Sequence, residues 1–164
     1  MLFFGFGAHA FDALSLEPLD LNGDGIKEKV SLQFTKPDEL NQYHATLFIE
    51  SNGRAYSKLL GDWFWPDLTK LDMLVIGKGI NPFVVVGAAA GAHSESRTVY
   101  SFDGKKLSEV FSVFSDAPSI TEKDIDNDET KEIIVKRRDY EKDPLTDSRE
   151  LIYKWDGTRF VEVK

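Results

Sequence analysis

Two independent landmarks recur in this chain at a spacing just above fifty residues, and together they confine it to a threefold repeat. The first is a loop, Asp20-Leu-Asn22-Gly-Asp24-Gly25-Ile26-Lys-Glu28, which returns as Asp124-Ile-Asp126-Asn-Asp128-Glu129-Thr130-Lys-Glu132. Between them, the segment from Leu74 to Pro82 keeps two glycines and an isoleucine of the same pattern, with a valine at 84 matching Val30. The loop openings at 20, 74 and 124 are 54 and 50 residues apart. The second landmark is a turn dipeptide: Asn52-Gly53, Asp103-Gly104 and Asp156-Gly157, whose glycines are 51 and 53 residues apart. Each follows a β-branched and aromatic run, and Asn-Gly or Asp-Gly supplies the positive φ angles that two-residue hairpins require.

Each unit reads as a leading strand, a loop, a second strand, a variable connection and a hairpin. The leading strands are expected near 13–19, 67–73 and 118–123, and the connections at 35–44, 87–97 and 137–149. Four strands in each of three units, approximately 11–60, 61–114 and 115–164, make an all-β chain without a linker, hence one domain. Four strands per unit is the build of a propeller blade, so a β-propeller-like arrangement is expected, with a β-trefoil-like one as the alternative. Three units leave closure open. They can pack about a pseudo-threefold axis, join a second chain as a six-bladed homodimer, or seal the strand before Asp20 against the strand near Phe160.

The loops carry the chemistry. Oxygen-bearing side chains stand at positions 1, 3, 5 and 9, and alternate side chains on a tight turn converge on one point. Hard cations such as Ca²⁺ take about six to eight oxygens. Gly25, at position 6, sits where the turn is sharpest and a Cβ is least welcome. An EF-hand shares this opening but needs a bidentate Glu at position 12 between two helices. Position 12 is Ser31 in one copy and Val135 in the other, and the flanks are strand-like. One or two Ca²⁺ ions are therefore expected. Asp20, Asn22, Asp24, Glu28 and the Ile26 carbonyl would hold one; Asp124, Asp126, Asp128, Glu132 and the Thr130 carbonyl would hold the other. The middle copy puts Leu74, Ile76, Lys78 and Pro82 at those positions, retaining the turn and losing the ligands.

A loop closed at position 9 and running straight into a strand resembles the calcium loops of the FG-GAP/VCBS repeat family, found in integrin α-chain propellers and bacterial surface proteins. The resemblance is strong over each loop and the strand after it, and loose elsewhere. Glu replaces the usual Asp at position 9 in both copies, and Glu129 replaces Gly at position 6 of the second. The resemblance implies ions that brace each turn and an assembled face that binds a partner, a protein or a glycan.

Composition narrows the function classes. A net charge of −8 disfavours nucleic acid and anionic membranes, and eight of the 28 acidic residues lie in the two loops. Without metal, the carboxylates of the second loop repel one another and should loosen it. The absence of cysteine excludes a disulfide framework and thiolate metal sites. The apolar stretch Leu2 to Ala10 ends in Ala-x-Ala, like the tail of a secretory signal peptide, though without a basic leader; an edge strand is the other reading of 1–10. A secreted or periplasmic, envelope-associated location suits weak calcium loops. No transmembrane segment is evident.

Three further clusters stand outside the loops. Trp63-Phe-Trp65-Pro66 suits the seal between adjacent units better than a sugar-stacking platform. The His93-Ser94 pair, followed by Glu95 in a small-residue run, is not by itself a triad, which is assembled in space with an orienting acid and an oxyanion hole, so a small hydrolase is an alternative rather than the leading expectation. The three scattered histidines, His9, His44 and His93, do not make a zinc motif. The charges at Arg137-Arg138 and after them suit a solvated loop. The expected protein is a non-catalytic calcium-binding interaction module, with a hydrolase or a carbohydrate-binding module through Trp63 and Trp65 as alternatives.

Overall fold

The structure is a computed structural model that describes residues 11–35, 43–89, 94–117, 119–142 and 147–163. The segment 1–10, read as a signal-peptide tail or an edge strand, lies outside the described residues, as does His93.

Among the described residues the chain forms twelve strands and one short 3₁₀ turn, Pro66–Leu68. The strands are β1 Phe11–Ser15, β2 Lys29–Thr35, β3 Tyr43–Ser51, β4 Arg54–Phe64, β5 Thr69–Leu74, β6 Phe83–Ala89, β7 Glu95–Phe102, β8 Leu107–Ser115, β9 Ile120–Lys123, β10 Glu132–Arg138, β11 Ser148–Trp155 and β12 Phe160–Val163. They build three four-stranded antiparallel sheets, each pairing its strands in chain order: β1 to β4, β5 to β8 and β9 to β12. The threefold all-β reading therefore holds at the level of sheets. Among the described residues no ladder joins one sheet to another, apart from an isolated bridge between Gly77 and Thr130. The shared barrel of a β-trefoil is thus not formed. Nor does β1 seal against β12, since β1 pairs with β2 and β12 with β11.

Local chemistry explains the hairpins. Asn52 and Gly53 take φ of 52° and 70°, and they join β3 to β4 as a two-residue turn. The two Asp-Gly hairpins differ from expectation, because each loop spans four residues and only its glycine has positive φ. There the aspartate acts through its side chain. Asp103 Oδ1 accepts the Lys105 and Lys106 amides at 2.9 and 2.7 Å, and Asp156 Oδ1 accepts those of Thr158 and Arg159 at 2.8 and 2.9 Å. Loss of those amide bonds on protonation holds both carboxyls below their ordinary value.

Burial gives the layer order. The middle sheet has two covered faces. Val84, Val86, Tyr100 and Phe102 join a core with Val30, Leu32, Phe34, Leu47 and Ile49 of the first sheet. Phe83, Val85, Val99 and Phe111 join another with Ile120, Ile133, Val135 and Phe160 of the third. Hence Phe83 to Val86 are four consecutive buried residues, whereas β2 alternates buried and more open positions along its length. Aromatic rings seal both junctions. Tyr56 meets Phe102 edge-on at 5.0 Å; Phe83 meets Trp155 at 4.9 Å and Phe160 at 5.9 Å; Phe111 meets Tyr153 at 4.9 Å. Polar contacts add to the second junction: Arg97 pairs with Glu122 and donates to the Ile120 carbonyl at 3.1 Å.

Candidate metal centre

The two acidic loops share three capping bonds. In the first, Asp20 Oδ2 accepts the Gly25 amide at 2.9 Å, Asp24 Oδ1 accepts the Ile26 amide at 2.8 Å, and Glu28 Oε2 accepts the Leu21 amide at 2.8 Å. In the second, the equivalent bonds are Glu129 to Asp124 Oδ2 at 3.0 Å, Thr130 to Asp128 Oδ1 at 2.9 Å, and Ile125 to Glu132 Oε2 at 2.9 Å. Carboxylates at positions 1, 5 and 9 thus fold the loop by capping its amides, which is why oxygen-bearing side chains are spaced as they are. Position 6 has positive φ in both copies, 83° at Gly25 and 67° at Glu129.

The remaining oxygens set the copies apart. Asp20 Oδ1 accepts the Gly23 amide at 2.7 Å and that of Asn22 at 3.3 Å, whereas the Asp124 counterpart, Oδ1, is buried with no hydrogen-bond partner. Glu28, fully buried, has its second oxygen satisfied by the Ser51 hydroxyl at 2.9 Å. Glu132 is 1% exposed, and its Oε1 has no hydrogen-bond partner. Oxygens of Asp124, Asp126 and Asp128 all lie within 4.8 Å of one another. In the first loop, position 3 is an amide, and Asn22 Nδ2 donates to Asp24 Oδ2 at 3.1 Å. Three convergent aspartates beside two buried oxygens that accept no hydrogen bond suit a hard cation, which fills empty lone pairs at once.

A lysine that the sequence reading passed over stands at this centre. Lys154 Nζ is 2.6 Å from both Asp126 Oδ2 and Asp128 Oδ2, and 3.7 Å from Glu132 Oε1. The ammonium holds the Asp128 carboxyl below its ordinary value, and the two aspartates raise Lys154 in turn. Asp20 is lowered chiefly by the Gly25 amide.

Strand register shows why Lys154 is there. Val30 faces Ile49, Val84 faces Tyr100, and Ile134 faces Ile152. Two residues back along one strand and two forward along the other, the closing residues Glu28, Pro82 and Glu132 are matched with Ser51, Phe102 and Lys154. The same position thus carries a hydroxyl that bonds a carboxylate, a buried ring beside a proline, and an ammonium.

The three loops lie together. A Cβ on Gly23 would come within 2.9 Å of Asn81 Oδ1, and one on Gly77 within 3.0 Å of the Glu129 carbonyl. The Lys131 amide donates to the Ile76 carbonyl at 2.6 Å, so the middle loop touches both acidic ones.

The other candidates fall elsewhere. Ile26 is 45% exposed at position 7, its amide engaged by Asp24 as Thr130's is by Asp128. Trp65 is 41% exposed just beyond β4, so it does not seal two units. That role belongs to Tyr56, Phe83, Phe102, Phe111, Tyr153, Trp155 and Phe160. The Trp63 side chain lies outside what is described, and with His93 also outside, the His93-Ser94 pair gains no geometry. Among the described residues no helix is long and apolar enough to cross a membrane. Comparison with family models, with curated proteins and with solved structures finds no match.

Proposed function

We propose that this chain is a calcium-binding β-repeat protein of the FG-GAP/VCBS type, non-catalytic, whose ions brace its loops so that the assembled surface binds a protein or glycan partner. The observation that carries the reading is the pair of buried oxygens without a hydrogen-bond partner, Asp124 Oδ1 and Glu132 Oε1, the latter 3.7 Å from the Lys154 ammonium, beside three converging aspartates. Leaving a buried acceptor unpaired costs about 1–3 kcal/mol, more when charged, so such a pair is expected where an ion normally sits. Glu132, Asp124, Asp126 and Asp128 would hold it with the Thr130 carbonyl. The first loop would hold a second ion through Asp20, Asn22, Asp24, Glu28 and the Ile26 carbonyl. The middle copy has Leu74, Ile76, Lys78 and Pro82 where the ligands stand in the other two, so one unit of three dispenses with them, which favours a bracing role over catalysis.

The layered sheets suit three consecutive blades of a propeller-like stack, and two chains together would supply six. Weak loops of this kind fill at the roughly millimolar calcium outside cells, which favours a secreted or periplasmic setting. The test is a thermal melt in chelator and then in calcium from micromolar to about 10 mM, where a ligand of the folded state raises stability by RT ln(1 + [L]/Kd). A rise that Asp124→Asn with Asp128→Asn diminishes, and that Asp24→Asn further removes, supports the reading. A flat response in the native chain overturns it. The exposure of Trp65 supports a glycan as the partner, checked by quenching of its fluorescence with oligosaccharides.

A further inference from the structure

We propose that Lys154 is a tethered cation that holds the centre of the second loop and determines which ions enter it: a divalent ion displaces the ammonium, and a monovalent ion does not. This deepens the reading of the loop as a cation site and rests on it.

The geometry shows an incomplete substitute. An ammonium has three donors. Two of the Lys154 contacts are short, to Asp126 and Asp128, while Glu132 Oε1 at 3.7 Å is beyond hydrogen-bonding distance and Asp124 Oδ1 receives nothing. A calcium ion offers about six to eight coordination positions and twice the charge, so it can engage all four carboxylates where the lysine engages two. A sodium or potassium ion brings no more charge than the lysine. It also competes against a group held in place by the chain, whose effective concentration is roughly millimolar or above. The lysine therefore raises the threshold for divalent ions and closes the site to monovalent ones.

The repeat supplies an internal control. At the same register position the first sheet has Ser51, which spends its hydroxyl on Glu28 Oε1 and brings no charge. The middle sheet has Phe102, 3% exposed, where no acidic ligand remains. A cation is placed only in the copy whose position 3 is an aspartate, Asp126, rather than Asn22 or Ile76. Lys154, on β11, is 30% exposed while paired with the aspartates, so an incoming ion that frees its ammonium would release it to solvent at the end where the three loops meet.

Two measurements on the full chain test this. Calorimetric titration with calcium chloride compares the native chain with Lys154→Met, each against a background of sodium chloride. Mass-spectrometric acetylation of the native protein follows Lys154 with and without calcium, with Lys142, 69% exposed, as reference. The expected result is a Kd at the second loop lower by about tenfold or more in Lys154→Met. Acetylation of Lys154 should rise with calcium while that of Lys142 stays constant. Should the variant fail to fold, acetylation of the native chain decides alone. Calcium binding with unchanged acetylation, or with equal affinity in both proteins, overturns the role of Lys154 and leaves the cation site standing. Absence of calcium binding in both proteins overturns the two readings together.

Discussion

Ser51 donates its hydroxyl to Glu28 Oε1 across 2.9 Å, with Glu28 fully buried and Ser51 3% exposed. The other carboxylate oxygen takes the Leu21 amide at 2.8 Å, so a buried charge at the foot of the first loop is satisfied on both sides. Ser51→Ala removes one partner and leaves the other buried. The expected loss is about 1–3 kcal/mol, read as a lower urea midpoint in chelator. An unmoved midpoint would show that the hydroxyl does not hold the carboxylate.

Glu129 occupies the left-handed region, φ 67°, where the first copy has Gly25 at 83°. A side chain with Cβ pays about 1–2 kcal/mol there, partly offset because glycine loses more freedom on folding. Glu129→Gly is therefore expected to stabilise by a few tenths to about 1 kcal/mol. Gly25→Ala, the reverse change, is expected to destabilise by a few tenths to about 1 kcal/mol. Nothing lies within 4 Å of a Cβ built at Gly25, so that loss is conformational rather than steric. Paired urea melts of the two variants should move in opposite directions.

The repeat, its strands and the acidic loops were legible because their signals are local. Alternation makes a strand such as β2, and Asx side chains cap their own turns at Asp20, Asp103 and Asp156. Lys154 was not legible, since matching it with Glu132 requires the register between β10 and β11. The third hairpin also obscures it: Ser51 directly precedes its turn dipeptide, whereas Trp155 stands between Lys154 and Asp156. Trp65 misled for a related reason. Local hydrophobicity marks Trp63-Phe-Trp65 as core, and Phe64 does pack against the first core, yet Trp65 is exposed and the ring seals come from residues far apart in the chain. The unbroken run Phe83 to Val86 was the overlooked sign that the middle sheet is covered on both faces.

Phe83, 2% exposed, touches both Trp155 and Phe160 and so ties the middle sheet to the third. Truncation to alanine opens a cavity among large rings, and Phe83→Ala is expected to cost about 3–5 kcal/mol. Phe114, 43% exposed on β8, is the matched comparison, and Phe114→Ala should stay within about 0.5 kcal/mol of the native chain. Equal losses at the two positions in chemical denaturation would contradict the layer order.

Asp103 and Asp156 give the fold an acid limit. Backbone amides of Lys105 and Lys106 hold the first carboxyl below its ordinary value of 3.8, and those of Arg159 and Thr158 do the same for the second. For a carboxyl lowered by folding, the unfolded chain takes up its proton first. The stabilisation is complete above 3.8 and is lost as the pH falls through the still lower folded value. Asp103→Asn with Asp156→Asn keeps a side-chain oxygen but removes the charge. The variant is expected to be less stable than the native chain at about pH 6, with the gap closing as the pH falls below 3.8. Urea midpoints taken down that range check it, and a gap that stays constant or widens in acid would show that these turns do not depend on the ionised carboxylate.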